Sequence, residues 1–401
     1  MILAAAGALL APCLFAQSAP PPAAQTEEEL LADLRALEMA VARRSQISFS
    51  LRLGGHLKAK FLGVGAIASD LDISDTTTEE ARTYNDGYVG ADTRSDTDGD
   101  DMGSDGRTNN WSYNAASQVT ADETGVSFHR YETISDGSTI SAKSKPAVGI
   151  DVEGARQFFS FGRSLGVGRK AFTGGAHFGI GLSTLNAKST GNITATLLSI
   201  TDTYSLLGAA APGGSPTDED STGYTAPSSS SETVTNADGT TTSNTIDTTT
   251  YLGSLPDSRT EAVVPGGATI DGLWQVRGAF FNVRTGPWIR WQPSDRFSLR
   301  FSAGGSMNFV GVKMRYDETL DLEDLSTELT QRVESDSENM AVPGYFGGID
   351  AEWWFSDTTG FFGSASYEKA TKDKLLTYEG RTAELEMSSG LGLRAGLTVK
   401  F

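Results

Sequence analysis

The C-terminal end of the chain alternates strictly. Leu391, Leu393, Ala395, Leu397, Val399 and Phe401 hold one parity; Gly392, Arg394, Gly396, Thr398 and Lys400 hold the other. Successive side chains of a β-strand point to opposite faces, so such a segment has one apolar and one polar side. The same period appears near the start, where Ile47, Phe49, Leu51, Leu53, Leu57, Ala59 and Phe61 alternate with Arg52, His56, Lys58 and Lys60. A soluble sandwich also alternates, so one segment alone leaves the fold class open.

The repetition narrows it. Long alternating segments are expected at 46–64, 147–158, 171–186, 272–291, 296–315, 342–355, 360–372 and 382–401. Each exceeds the roughly ten residues a tilted strand needs to cross a hydrocarbon layer. Their connections sort into two kinds. Those at 159–170, 292–295 and 356–359 are short and turn-like, whereas 65–146, 187–271, 316–341 and 373–381 are polar and mostly long. Short turns on one side and long loops on the other are the habit of a transmembrane barrel. Aromatic residues gather beside the short turns: Phe158, Phe159, Phe161, Phe172, Trp291, Phe297, Trp353, Trp354, Phe355, Phe361, Phe362 and Phe401. Rings favour the membrane–water boundary, so Trp291, Phe297, Trp353, Phe355, Phe361 and Phe401 are expected to form a periplasmic girdle. A core cluster at one end of a soluble barrel is the alternative.

Composition agrees with strands that bury only alternate residues: 38% of the 401 residues are hydrophobic and 45 are Gly. The expected fold is all-β, a closed antiparallel transmembrane β-barrel of eight strands preceded by a short N-terminal helix. Gly125–Ser135 and Asn192–Leu206 also have strand character; they either extend hairpins above the membrane or raise the count to ten or twelve.

The alternation places charges inside. The inward row is expected to hold Arg52, Lys58, Lys60, Arg284, Arg290, Arg300 and Arg394, with Asp151, Glu153, Asp350, Glu352, Glu368 and Glu386 as counter-charges. Facing lipid, an Arg or Lys near the midplane would cost about 2–4 kcal/mol. An eight-stranded barrel is just wide enough for side chains to fill it. Lys58 and Lys60 are expected to face Asp151 and Glu153, and the network either plugs the barrel or lines a narrow pore.

At the N-terminus, 1–16 is one apolar run, too short to span a membrane as a helix and expected to be a signal peptide cleaved after Ala16. It lacks a cationic leading region, which leaves the true start upstream open. Cys13 is the only cysteine; a lipoprotein reading is the alternative, although Pro12 beside it fits poorly. Residues 17–45 are expected to be a periplasmic linker and amphipathic helix. Leu30, Leu34, Leu37 and Val41 recur at helical spacing, and Arg43 and Arg44 close the segment as a helix dipole prefers. That helix either packs on the barrel mouth or makes the protein oligomeric as a small coiled coil. Residues 46–401 form the barrel, with 65–146, 187–271 and 316–341 as extracellular loops.

The net charge of −19 offers no basic stripe, so no nucleic-acid partner is expected. Residues 65–146 carry sixteen acidic against six basic side chains. Asp96-Thr97-Asp98-Gly99-Asp100-Asp101 could wrap calcium through oxygen ligands, but no Glu follows at the twelve-residue spacing, and no metal site is assigned. Between Ser215 and Thr250 the chain is nearly all Ser, Thr, Gly, Asp and Asn, which argues for an unordered segment. The histidines are His56, His129 and His177; His177 is expected to point inward, and His129 has no evident partner. No phosphate loop or zinc-spaced cluster is present, and no catalytic residue or cofactor is expected.

The last residues also carry a resemblance. Arg394, Gly396, Val399 and Phe401 match a polar residue, a Gly, a hydrophobic residue and a terminal aromatic at the spacing of the β-signal of bacterial outer-membrane barrels. The architecture resembles the small OmpA/OmpX-like barrels, with longer first loops than those proteins usually have. Tyr84-Asn85-Asp86-Gly87-Tyr88-Val89, with Trp111-Ser112-Tyr113 and Ala116-Ser117-Gln118, is similar to a motif of barrels from environmental Gram-negative bacteria and assigns no chemistry. The resemblance implies a Gram-negative outer membrane, its lipid, and the barrel-assembly machinery as biogenesis partner. The expected role is surface-structural or adhesive, with an unidentified extracellular ligand; a small diffusion pore is the alternative and a barrel hydrolase a weaker one.

Overall fold

The computed structural model describes residues 31, 44–54, 58–95, 105–164, 170–213, 223–322, 329–371, 373–386 and 390–401. The expected signal peptide, most of the expected N-terminal helix, His56 and the Asp96–Asp101 run lie outside these residues.

The main strands are β1 (Ser45–Leu53), β2 (Val148–Ser164), β3 (Lys170–Ser205), β4 (Ser258–Trp291), β5 (Phe297–Asp321), β6 (Glu338–Trp354), β7 (Thr359–Ala370) and β8 (Gly390–Lys400). Each pairs antiparallel with the next, and β8 returns to β1 from Gln46↔Lys400 to Leu53↔Leu393. A ring of this kind leaves no unpaired edge in its wall.

Parity explains the ring. On β5, Phe297, Leu299, Phe301, Ala303, Met307 and Phe309 face outward, while Ser298, Arg300, Ser306 and Asn308 are buried within. Every ring strand repeats the arrangement: Leu51 is 68% exposed and Leu391 74%, yet Arg300 and Asp350 are 1% and 0% exposed. A water-soluble fold hides such residues the other way round. From Ala279 to Trp291 the outward row of β4 carries no charge, a rise of about 30 Å for a strand at barrel tilt.

The structure departs from the expected boundaries in two ways. First, the segment expected as one strand over 46–64 is two. β1 ends at Leu53, and Lys58–Leu62 pairs instead with Arg381–Glu386 and Ile140–Lys143; Lys374–Tyr378 completes a separate four-stranded sheet. The segment expected over 382–401 splits in the same way. Period-two patterning runs through both breaks because the small sheet has an apolar face of its own. Ala59, Phe61, Leu376, Ala383 and Leu385 pack against Leu185, Trp274, Val276, Val310, Met314 and Tyr316 of the tall ring strands.

Second, β3, β4 and β5 run well beyond the expected ends. Gly125–Ile134 pairs along upper β3 and Leu329–Glu334 along upper β5, so both extend hairpins above the apolar band. The long connections build a lobe there. Tyr84, Val89, Trp111, Tyr113, Val126, Phe128, Tyr204 and Leu252 form its core, gathering the aromatic positions of the Tyr84–Val89 and Trp111–Tyr113 segments. Within the segment expected to be unordered, Ser229–Thr235 and Thr241–Asp247 pair as a fully exposed hairpin. Backbone bonding and the Asn236–Thr240 turn, with Gly239 at φ 81°, set it without any buried apolar area.

Candidate functional site

The interior of the ring is a layer of alternating guanidinium and carboxylate groups. Asp151 and Glu153 come from β2, Arg284 and Arg290 from β4, Arg300 from β5, Asp350 and Glu352 from β6, Glu368 from β7, Arg394 from β8 and Arg52 from β1. Arg284 donates to both oxygens of Asp151 at 2.7 and 2.8 Å. Arg300 reaches Glu153 and Asp350, each at 2.6 Å. Arg394 contacts Asp151, Glu153 and Asp350 at 3.2, 3.0 and 3.1 Å. Arg52 pairs with Glu368 at 2.6 Å, and Arg290 with Glu352 at 2.9 Å. Positive and negative groups are equal in number, so the layer is neutral as a unit.

The remaining ring strand, β3, makes room. Its inward positions include Gly179 and Gly181; a Cβ at Gly181 would lie 2.8 Å from Asp151 Oδ2, and one at Gly179 would lie 3.0 Å from an Arg284 nitrogen. Below, Gln46 donates to Glu352 at 3.2 Å and bonds Arg290, Ser298 donates to Glu352 at 2.7 Å, and Trp354 donates to Ser298 at 3.1 Å. Gln46, Ser298 and Trp354 were absent from the expected set. Extending the inward row to the first inward position of β1 would have found Gln46.

Three expected members are elsewhere. Lys58 and Lys60 are exposed on the small sheet, and Lys58 pairs with Glu386 at 3.5 Å rather than with Asp151 or Glu153. Glu386 faces it across the same sheet. Since β1 stops at Leu53, the parity count that placed these residues in the lumen does not extend to them.

Trp291, Trp353, Phe355, Phe361 and Phe401 are exposed, Phe297 is half-buried, and all lie beside the short turns or the chain end. Phe297 contacts Trp353, and Phe355 contacts Phe361. Trp354 and Phe362 depart from this group: their even parity turns them into the lumen, where both are buried. Arg394 belongs to the charge layer. Gly396 admits the β1 backbone, since a Cβ would lie 1.9 Å from Phe49 O, and Val399 faces outward. Phe401 exchanges backbone bonds with Ser45 at 2.9 and 3.2 Å, completing the seam.

No protein-family model matches the chain, and no curated protein matches it. Among solved structures it is similar to the outer membrane protease OmpT from Escherichia coli, at 10% identity over 89% of this chain and 97% of that one, with a TM-score of 0.23. It is also similar to Ail, the attachment invasion locus protein of Yersinia pestis, at 9% identity over 88% and 99%, TM-score 0.20. The translocator domain of NalP from Neisseria meningitidis matches at 10% identity over 93% and 95%, TM-score 0.21. The architecture stands on the strand pairings described above.

A second layer lies above the charges. The small sheet sits against the inner face of the tall strands, and Glu318, fully buried, fastens it. Its carboxylate accepts from Trp274 Nε1 at 2.8 Å and Gly65 N at 2.9 Å and pairs with Arg381 at 2.8 Å. The lobe is fastened in a similar way. Arg259 donates to both oxygens of buried Asp202 at 2.6 Å, and Tyr84 donates to it at 2.7 Å.

The histidines differ in setting. His177 points inward and meets the edge of Phe346 at 5.4 Å; its ring nitrogens have no hydrogen-bond partner among the described residues. His129, for which the sequence offered no partner, has one: Nδ1 lies 2.5 Å from Asp86, which also accepts from the His129 backbone at 2.7 Å. Asp86 is far away in sequence, and no local spacing connects the two. Among the described residues no cluster of His, Cys, Asp or Glu could hold a metal ion.

Proposed function

We propose that the chain is an eight-stranded outer-membrane barrel of a Gram-negative bacterium, with a shut lumen, and that its role is surface-structural or adhesive. One observation carries the reading: the inward charges are buried. In a water-filled channel these side chains would be solvated, whereas Arg300, Asp350, Glu352 and Arg284 are at most 2% exposed. The apolar layer beneath the small sheet adds a second closure of different chemistry.

A diffusion pore is the competing reading, and the same burial weighs against it. The reading includes no catalytic step. The lobe is the part available to an extracellular ligand, and the barrel carries it. Arg394, Gly396, Val399 and Phe401 would serve as the recognition strand for the barrel-assembly machinery. Oligomerisation through the N-terminal helix is a further element of the proposal.

Purified protein in planar bilayers tests it. No steady current above baseline is expected at moderate voltage; regular ohmic steps from single molecules would sink the shut lumen. Protease added to intact cells should reach the lobe.

A further inference from the structure

The Tyr84–Val89, Trp111–Tyr113 and Ala116–Gln118 segments carried no assigned chemistry in the sequence, and the fold brings them together in the lobe. Gly87–Val89 and Trp111–Tyr113 are neighbours in a four-stranded lobe sheet, with Arg82–Thr83 and Tyr224–Thr225 at its edges. Val89, Trp111 and Tyr113 enter the lobe core. Tyr88 and Ser112, direct cross-strand partners, have the opposite parity and are left to face away from it. They border a hollow of ≈ 470 Å³ between the lobe sheet and the hairpin above β5, together with Asp70, Asn85, Asn114 and Thr330. That volume is in the range of sites that enclose a small organic ligand.

The walls of the hollow are set by bonds made within the lobe. Asn85 N donates to His129 O at 2.8 Å, and Asn85 Oδ1 accepts from Tyr131 N at 2.6 Å. The carboxamide is thereby oriented, with Nδ2 left as its donor. Gln118 Oε1 accepts from the backbone N–H groups of Asn114 and Ala115 at 2.8 and 3.0 Å, which holds Asn114 in place. Asn110 Nδ2 donates to Tyr88 Oη at 3.1 Å. The tyrosine ring also needs Gly90, where a Cβ would lie 1.9 Å from Tyr88 Oη. Ala68 N donates to Gln331 at 3.0 Å and Ile67 N to Thr133 at 2.9 Å, anchoring the segment that carries Asp70. A site already ordered in this way costs a ligand little further ordering.

The bordering groups select the ligand class. Among the described residues no Lys, Arg or His borders the hollow, and Asp70 is its one carboxylate. A phosphate, sulfate or carboxylate would meet that like charge with no counter-charge to hold it. A polycation would find a single exposed partner. What the border does offer is carboxylate and carbonyl acceptors, amide and hydroxyl donors, and the side of an aromatic ring. Those complement a neutral ring that bears several hydroxyls and presents one C–H face.

We propose that this hollow binds a neutral hexopyranose, with Asp70 and Asn85 dividing the acceptor and donor roles toward its hydroxyls and Tyr88 lying along its ring. The proposal deepens the adhesive reading above and rests on it.

Detergent-folded protein would be tested on arrays of immobilised oligosaccharides ending in neutral hexoses, with sialylated and sulfated counterparts beside them. Free glucose, galactose and mannose would be titrated by calorimetry. Neutral termini should be retained, and the sialylated and sulfated ones bound more weakly by about tenfold or more. Asp70→Ala should lower affinity by about tenfold, and Tyr88→Phe by a smaller factor. Unchanged trypsin resistance of the lobe verifies that both variants fold. Equal affinity for free and glycan-borne hexose would assign the site to a soluble sugar, and tighter binding of the glycan to a surface chain; the neutral sugar is the ligand in both. Failure to retain any neutral sugar, equal affinity for sulfated glycans, or unchanged binding by Asp70→Ala would overturn the site. Cells displaying the chain that attach to a protein-coated surface while binding no sugar would defeat this site alone. Cells that attach to glycan-coated and protein-coated surfaces no better than cells lacking the chain would defeat the adhesive reading.

Discussion

Arg284 and Asp151 meet through two parallel hydrogen bonds, at 2.7 and 2.8 Å, inside a ring where both side chains are almost fully shielded from solvent. The contact joins β4 to β2 over the inner face of intervening β3, past Gly179 and Gly181. Removing one partner of such a pair leaves an uncompensated buried charge. Asp151→Ala should cost about 3–5 kcal/mol, because Arg284 and Arg394 both lose an acceptor. Urea titration of the detergent-folded barrel measures it. A midpoint indistinguishable from wild type would mean the pair adds nothing.

The glycines of β3 are part of the same packing. A Cβ at Gly181 would crowd Asp151 Oδ2 at 2.8 Å and Arg52 at 3.3 Å. Gly181→Val should therefore destabilise the barrel by about 1–3 kcal/mol, and Gly181→Ala by less. Unfolding midpoints should fall in that order; a more stable Val variant would show that the space was empty.

The lobe has its own fastening. Asp202→Asn weakens the bonds to Arg259 and Tyr84, so limited trypsin digestion should cut the lobe faster by roughly an order of magnitude. The ring should keep its heat-modifiable mobility. Simultaneous loss of both would mean that lobe and barrel unfold as one unit.

A pH response is expected at one corner of the lobe. Hydrogen bonds first from Arg94 and then from Arg107 hold Asp105 down at about 2, and both guanidinium groups lie over Tyr251, at 4.9 and 5.3 Å. A carboxylate with a lowered folded pKa contributes stability that is complete above its unfolded value near 3.9 and is lost as pH falls through the folded value. Amide exchange at 105–108 and 250–253 should therefore be flat from pH 7 to about pH 4, after correction for intrinsic rates, and accelerate toward about pH 2. Asp105→Asn should remove that acid-dependent step.

These outcomes also mark what could be read from the sequence. The rows through Leu51 and Leu393 were legible because the outer face and the lumen impose opposite requirements on adjacent side chains, and composition obeys. Arg52, Arg284, Arg300 and Arg394 followed from the same parity. Lys58 and Lys60 did not, because the small sheet continues the period while its partners change; the Gly54-Gly55 break was the available signal. Upper β3 and β4 read as loops because above the apolar band both faces can be polar, so Ser, Thr and Gly carry no pattern. Asp86 with His129, and Asp202 with Arg259, depend on tertiary folding of distant segments and have no local spacing to betray them.

The length of β3 has a mechanical consequence. Between Lys188 and Ser205 it rises roughly 40 Å at barrel tilt while bonded to β4 over most of the way. The lobe thus rides on a stiff mast continuous with the wall, held clear of the outward apolar band. A tug on the lobe along the mast would load the rungs between β3 and β4 together in shear, so the pull would be shared by many hydrogen bonds at once.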